Sequence, residues 1–253
     1  MISWSLQVEF LQQHYHVLVL DNRGTGQSSL PPFRYTTTMM AHDIYEVMTH
    51  LKWNTSAYHI VGASMGGMIS QELALIAPEK VQSLCLFSTH AGWGNGLTCL
   101  PPFQMTVVQI KNMFISDLHT RLHNAMTILY GNKILQDEKR YTELFEKAVE
   151  KNLIYGNSPF STFIAQVLAI FTHSVPASRM EALKMYQVPT LILTGGSDLM
   201  VHPENSIKLG IMLDVNPIVH EEHGHHMLWE DAHLINTSIH DHIQKQVLKS
   251  TNK

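Results

Sequence analysis

The stretch Ala57-Tyr58-His59-Ile60-Val61-Gly62-Ala63-Ser64-Met65-Gly66 decides the fold. Ala57 to Ala63 is a short, mostly apolar run, and from Met65 to Ala77 apolar residues recur every three or four positions, so a strand passes into a helix at Ser64. Gly62 and Gly66 are the small residues of G-x-S-x-G that let a chain turn this abruptly. The serine hydroxyl then projects from the apex, and the N–H of Met65, at the helix start, points to where an oxyanion would form. In isolation the same five residues fit a glycine-rich turn with a helix-capping serine. The strand before and the helix after favour a nucleophile.

Outward from this turn, His16 to Asp21, Val81 to Ser88, Pro189 to Gly195 and Val215 to His220 are further short apolar runs closed by turn formers. Runs of this kind are expected of strands buried on both faces of a parallel sheet. Thr37 to Lys52, Met65 to Ala77 and Asp231 to Leu248 have helical periodicity. The alternation predicts an α/β fold, a mostly parallel sheet with flanking helices joined by right-handed crossovers. Between Ala91 and Lys184 no strand is evident, and Thr106–Leu129, Glu138–Asn152 and Ser161–His173 look helical. Residues 1–90 and 185–253 therefore read as the core, and 91–184 as a helical cap over the carboxyl ends of the strands, where ligands bind in such sheets.

A serine is a poor nucleophile at neutral pH and needs a base together with a group that orients the base. Asp198 follows a strand in Thr-Gly-Gly-Ser-Asp, at the end from which a carboxylate can reach across the sheet top. An isolated aspartate there would be read as a turn or cap residue. Four histidines, His220, His223, His225 and His226, crowd the loop after the last strand. His225, directly after Gly224 and five residues before Glu230, is preferred to His226 as the base. A metal site is disfavoured, because His-Glu-Glu-His lacks the helical spacing of two ligands on one face.

The 253 residues carry 17 Lys and Arg against 21 Asp and Glu, a net charge of −4. Without a basic excess, nucleic acid is not an expected partner. No apolar run of spanning length occurs, and the first residues lack the pattern of a signal peptide, so the expectation is a cytoplasmic protein without stable membrane insertion. Cys85 and Cys99 are too few for a disulfide framework and form no ligand pattern. The oligomeric state is not legible.

Taken together, these residues resemble the α/β-hydrolase fold superfamily, in particular its capped serine hydrolases of the esterase, lipase and peroxidase-like type. Asp21-Asn22-Arg23-Gly24-Thr25-Gly26-Gln27-Ser28 is similar to that family's D-x-R-G-x-G-x-S turn. Gly195-Gly196-Ser197-Asp198 is similar to its acid loop, and Gly224-His225 with Glu230 to its G-H-x-x-x-x-E ending. The resemblance implies Ser64 as nucleophile, His225 as general base and acid, Asp198 as the group fixing the imidazole tautomer, and Met65 N–H in the oxyanion hole. It assigns structure, not chemistry, to Asp21 and Arg23. It implies no cofactor and no metal.

One family feature is missing. Strands normally precede the position of His16, and a His-Gly loop between them supplies a second oxyanion donor, yet residues 1–13 hold no such pair and read as the helix that follows that loop. Either the chain is an N-terminally truncated gene product, or it works with half an oxyanion hole, at a cost of about 3 kcal/mol in transition-state binding. The expected function is hydrolysis of carboxylic esters of small or lipid-like acyl substrates through a Ser-His-Asp triad and an acyl-enzyme; the alternative is a catalytically impaired binding protein of the same fold. Val107, Ile110, Met113, Phe114, Phe163, Val167 and Phe171 of the cap are candidates for the acyl pocket, or equally for the cap's own core.

Overall fold

The structure is a computed structural model and describes residues 2–31, 35–92, 107–108, 110–112, 114–155 and 160–251. Its centre is a sheet of four parallel strands, β1 (Tyr58–Ala63), β2 (Val81–Phe87), β3 (Thr190–Gly195) and β4 (Ile218–His220), in that spatial order. Leu84, Cys85, Leu86 and Phe87 are all fully buried, because each face of β2 is covered by helices. The period of two sorts them. Leu84 and Leu86 pack with Ile60 and Ile192 in one cluster, while Cys85 and Phe87 pack with Leu193 in the other.

The first cluster is closed by α2 (Thr37–His50), α3 (Met65–Ile76), α8 (Ala177–Met185) and α9 (Pro203–Leu213), through Met40, Ile69, Met180 and Leu209. The second is closed by α1 (Ser5–Leu11), α10 (Met227–Glu230) and α11 (Ala232–Thr251), through Leu11, Met227, Ile235 and Ile239. Each fully buried side chain of this size contributes about 1.5–3 kcal/mol, so the two central strands with their covering helices dominate the stability of the sheet. Burial also pushes the Cys85 thiol up to about 12, which leaves it an inert core residue. Cys99 lies outside the described residues.

Between β2 and β3 run α4 (Leu118–Leu129), α5 (Asn132–Gln136), α6 (Glu138–Tyr155) and α7 (Phe160–Thr172), with α8 leading back to the sheet. Met126, Tyr130, Ile134 and Leu144 give this segment a small core of its own. Of the expected helix over Thr106–Leu129, the described part is helical at 107–108 and 110–112 and again along α4, with a break at 115–117 where Asp117 caps α4 by accepting from the Thr120 N–H.

Two strand expectations change. Residues 16–20 form no strand, and β4 covers three residues in place of Val215 to His220. For residues 16–20 the cause is the lack of a partner: among the described residues no backbone hydrogen bond joins them to β1, the neighbouring end strand. Asp21 to Ser28 is a structural turn. Its Arg23 donates through Nε and Nη2 to the Asp43 carboxylate on α2, and its Gly26 adopts φ +53° with no room for a Cβ beside the Asp21 carboxylate.

His90 and His173 are buried side by side, ring centroids 6.1 Å apart, where the loop after β2 meets the end of α7. His90 Nδ1 accepts from the Gly92 N–H, and Thr37 Oγ1 hydrogen-bonds His173 Nδ1. Burial lowers His90 to about 4, and burial with repulsion from His90 lowers His173 to about 3. Below about pH 6.5 an unfolded chain protonates both rings while the folded one does not, so the stability they confer is lost as pH falls from about 6.5 toward 4. Chemical denaturation across that range should show stability declining on acidification, with a shallower decline in His173→Phe.

Candidate active site

Ser64 occupies the single residue between β1 and α3, at φ 54° and ψ −126°, a conformation rarely adopted by a side-chain-bearing residue. The surroundings hold it there. Its N–H donates to Phe87 O, and its carbonyl accepts from Gly67 N, Met68 N and Thr89 Oγ1. Gly62 lies so close to Gly66 that a Cβ on it would fall 2.4 Å from the Gly66 carbonyl oxygen and 2.2 Å from Ser70 Oγ, which is why this position needs glycine. The strain presents the Ser64 hydroxyl above the strand ends. Met65, the first residue of α3, points its N–H from the same helix start, and among the described residues this N–H has no acceptor.

His225 reaches this hydroxyl from the loop between β4 and α10. Its Nε2 is 2.9 Å from Ser64 Oγ, and its Nδ1 is 2.8 Å from Asp198 Oδ2. The Asp198 side chain is fully buried, and that of His225 is 9% exposed. The other carboxylate oxygen of Asp198 accepts from the Met200 and Val201 N–H groups, each at 2.8 Å. A buried carboxylate with two backbone donors on one oxygen and an imidazole on the other is fixed in direction. It also fixes the imidazole, whose Nδ1 keeps a proton for the carboxylate so that Nε2 can accept one from the serine. Ser64, His225 and Asp198 thus form one hydrogen-bonded chain, brought together from three separate loops.

The neighbouring histidines point elsewhere. His226 Nδ1 faces Tyr130 Oη at 3.3 Å, and the His220 and His223 rings pack edge to face with centroids 5.5 Å apart. Among the described residues no group of three or more His, Cys, Asp or Glu side chains is arranged to hold a metal ion. Of the seven apolar candidates in the insertion, Phe114 is 84% exposed and Ile110 51% exposed, and Val107, Phe163, Val167 and Phe171 are partly exposed. None of these six is buried core. Met113 lies outside the described residues.

Two contributors were not legible in the sequence as site residues. The N–H groups of Met200 and Val201 could not be found there, because every non-proline residue has one. The other is the link made by Glu230, whose Oε1 accepts from both Gly224 N, beside His225, and Gly131 N, at the start of α5. That single oxygen ties the histidine loop to the inserted helices. Burial raises Glu230 to about 7, against the opposing pull of the two N–H groups. The folded protein keeps this proton at pH values where the unfolded chain releases it, so its contribution is complete below about pH 4.5 and is lost as pH rises toward 7. Glu230→Gln retains an acceptor for both N–H groups, and the denaturation midpoint of the parent relative to that of the variant should decrease as pH rises from 4.5 to 7.

The model of the alpha/beta hydrolase fold family matches residues 2–232. Among curated relatives, 3-oxoadipate enol-lactonase 2 of Acinetobacter baylyi is 24% identical over 195 residues, 77% of this chain and 66% of that protein. Lipase 3 of a Moraxella species is 28% identical over 194 residues, 76% of this chain and 57% of that protein. A protein assigned as carbamate hydrolase RutD in Azorhizobium caulinodans is 36% identical over 92 residues, and the match spans only about a third of that relative's length. Of the solved structures, an esterase of Thermogutta terrifontis superposes with a TM-score of 0.75 at 21% identity, covering 96% of this chain and 85% of the esterase. The enol-lactonase of Burkholderia xenovorans LB400 gives the same TM-score at 20% identity, covering 96% of this chain and 86% of the lactonase. At such identities the superpositions speak for the fold, and with the family match over most of its length they place this chain in the alpha/beta hydrolase family.

Proposed function

We propose that the chain is a serine hydrolase that cleaves carboxylic esters of small or lipid-like acyl groups. One observation carries the reading: the continuous hydrogen-bonded path from Ser64 Oγ through the two nitrogens of His225 to the buried Asp198 carboxylate. Ser64 Oγ attacks the ester carbonyl carbon while its proton passes to His225 Nε2. The Met65 N–H, at the positive end of α3, meets the oxygen that becomes negative. As the tetrahedral intermediate collapses, the carbon–oxygen bond to the alcohol breaks and His225 gives its proton to the departing oxygen. Water then enters, loses a proton to His225 and attacks the acyl carbon, and the acid leaves with Ser64 reprotonated. Asp198 stays ionised throughout and stabilises the imidazolium formed in each half-reaction.

We assign the acyl group to the side of the inserted helices, whose exposed apolar side chains include Ile110, Phe114 and Phe163. Relatives named as a lipase and as an enol-lactonase are consistent with attack on an ester or lactone carbonyl. A fluorophosphonate probe labels an activated serine by the same attack. Wild-type protein should be labelled at Ser64, with labelling abolished in Ser64→Ala and His225→Ala, and Asp198→Asn should lower ester hydrolysis by about 10⁴ through the wrong imidazole tautomer. Labelling that persists in Ser64→Ala contradicts the assignment.

A further inference from the structure

The loop that carries His225 lies with its main chain against the inserted segment. A Cβ added to Gly224 would fall 2.6 Å from Gly131 N and 2.7 Å from Leu129 O, and one added to Gly131 would collide with Glu222 O. The turn between α4 and α5 is therefore in backbone contact with the histidine loop, and no side chain fits between them. One N–H from each side of this contact faces the same atom: Glu230 Oε1 accepts from Gly224 N at 2.9 Å and from Gly131 N at 3.0 Å. Glu230 also closes its own loop, its N–H donating to His226 O at 3.1 Å. Among the described residues the main chain of His225 itself makes no backbone hydrogen bond, so its Cα is placed by its neighbours: His226 N donates to Leu129 O, and Gly224 N to Glu230. Asp198 holds the Nδ1 edge of the ring. An imidazole held at that edge alone still swings its Nε2 in an arc, whereas proton transfer needs the nitrogen within about 0.5 Å of its productive place.

We propose that Glu230 is a positioning residue for the reaction assigned to Ser64: by gripping Gly224 and Gly131 together it sets the backbone from which His225 reaches the serine. The role rests on the serine-hydrolase reading above and gives that site a dependence on a carboxyl that bonds neither Ser64 nor the imidazole. Loss of the acceptor releases Gly224 and lets Nε2 drift from Ser64 Oγ, which slows every step in which His225 moves a proton. A misplacement of about 1 Å in such a geometry costs about a hundredfold in rate. Substrate affinity is left as it was. The acceptor is the operative feature, not the charge. Burial, with the Asp198 and Asp231 carboxylates adding to it, raises Glu230 to about 7, so near neutrality the group is as much neutral acid as carboxylate. An uncharged acceptor of the same length therefore serves the two N–H groups in its place.

The test separates the rate at which a saturating fluorophosphonate labels Ser64 from the final extent of labelling, in the parent, Glu230→Met and Glu230→Gln, each held well below its melting temperature. Glu230→Met keeps the length of the side chain and removes the acceptor. It should be labelled to the same extent as the parent, because the chain is folded, but more slowly by roughly tenfold or more. With p-nitrophenyl butyrate its kcat should fall by roughly 10- to 100-fold while KM changes by less than about twofold. Glu230→Gln should recover most of the rate. If Glu230→Met does not fold, Glu230→Asp decides the matter, since it keeps the charge and is one methylene too short to hold both N–H groups. A labelling rate in the folded Met or Asp variant equal to that of the parent overturns the role, and so does a slow rate that Gln fails to recover. A loss confined to the extent of labelling overturns it too, by reducing Glu230 to a staple of the fold. A parent that is not labelled at Ser64 removes the serine-hydrolase reading and this role with it, whereas a labelled parent matched in rate by its variants removes the role alone.

Discussion

At Ser64 the backbone is held at φ 54°, a conformation costing on the order of 1–3 kcal/mol, and most of the site follows from how that strain is carried. Parallel pairing of β1 with β2 supplies the carbonyl of Phe87 for the Ser64 N–H, and the first turn of α3 returns the Gly67 and Met68 N–H groups to its carbonyl. Thr89, just beyond β2, adds a third donor. Nothing in this ring of bonds involves the serine hydroxyl, which stays available to His225. A strained turn bound only through its main chain is what permits a reactive side chain to project from a rigid frame.

The proposed acid is immobilised by a different device. Asp198 follows β3 on a short loop that folds back on itself, so that one oxygen of its carboxylate accepts from the Met200 and Val201 N–H groups while the other meets the imidazole. The histidine arrives on the most mobile kind of element, a loop, yet that loop is anchored on both sides: His226 N donates to Leu129 O, and Gly224 N donates to Glu230. Both anchors involve the inserted helices or the residue that grips them. The position of His225 is therefore tied to the inserted helices by hydrogen bonds on both sides of it.

Much of this was legible because burial on both faces leaves an unmistakable mark. Leu84 to Phe87 and Leu191 to Leu193 are apolar without alternation, and the glycines around Ser64 stand where strand passes into helix. His225 could be separated from three nearby histidines by its place after Gly224. The apolar run at 16–20 misled for a physical reason: side chains record a preference for burial, whereas a strand also needs a neighbour to complete its hydrogen bonds, and that neighbour is written elsewhere. The last strand was overestimated because Val215 N bonds back to Gly210 at the end of α9 before the chain reaches β4. Helix α9 itself passed unread, since Pro203 and Asn205 at its start resemble a loop, although proline is well suited to a first helical turn.

The proposed reaction turns on the relation between Ser64 and His225, and an acyl-enzyme is the direct chemical consequence of that proposal. Rapid acid quenching of the protein with an activated ester such as p-nitrophenyl butyrate, followed by mass spectrometry of its peptides, tests it most directly. A butyryl group on the peptide containing Ser64, formed within the burst of nitrophenol release and absent from His225→Ala, is the expected result. Turnover of the ester with no acyl group on Ser64, or with the group on another residue, would contradict it.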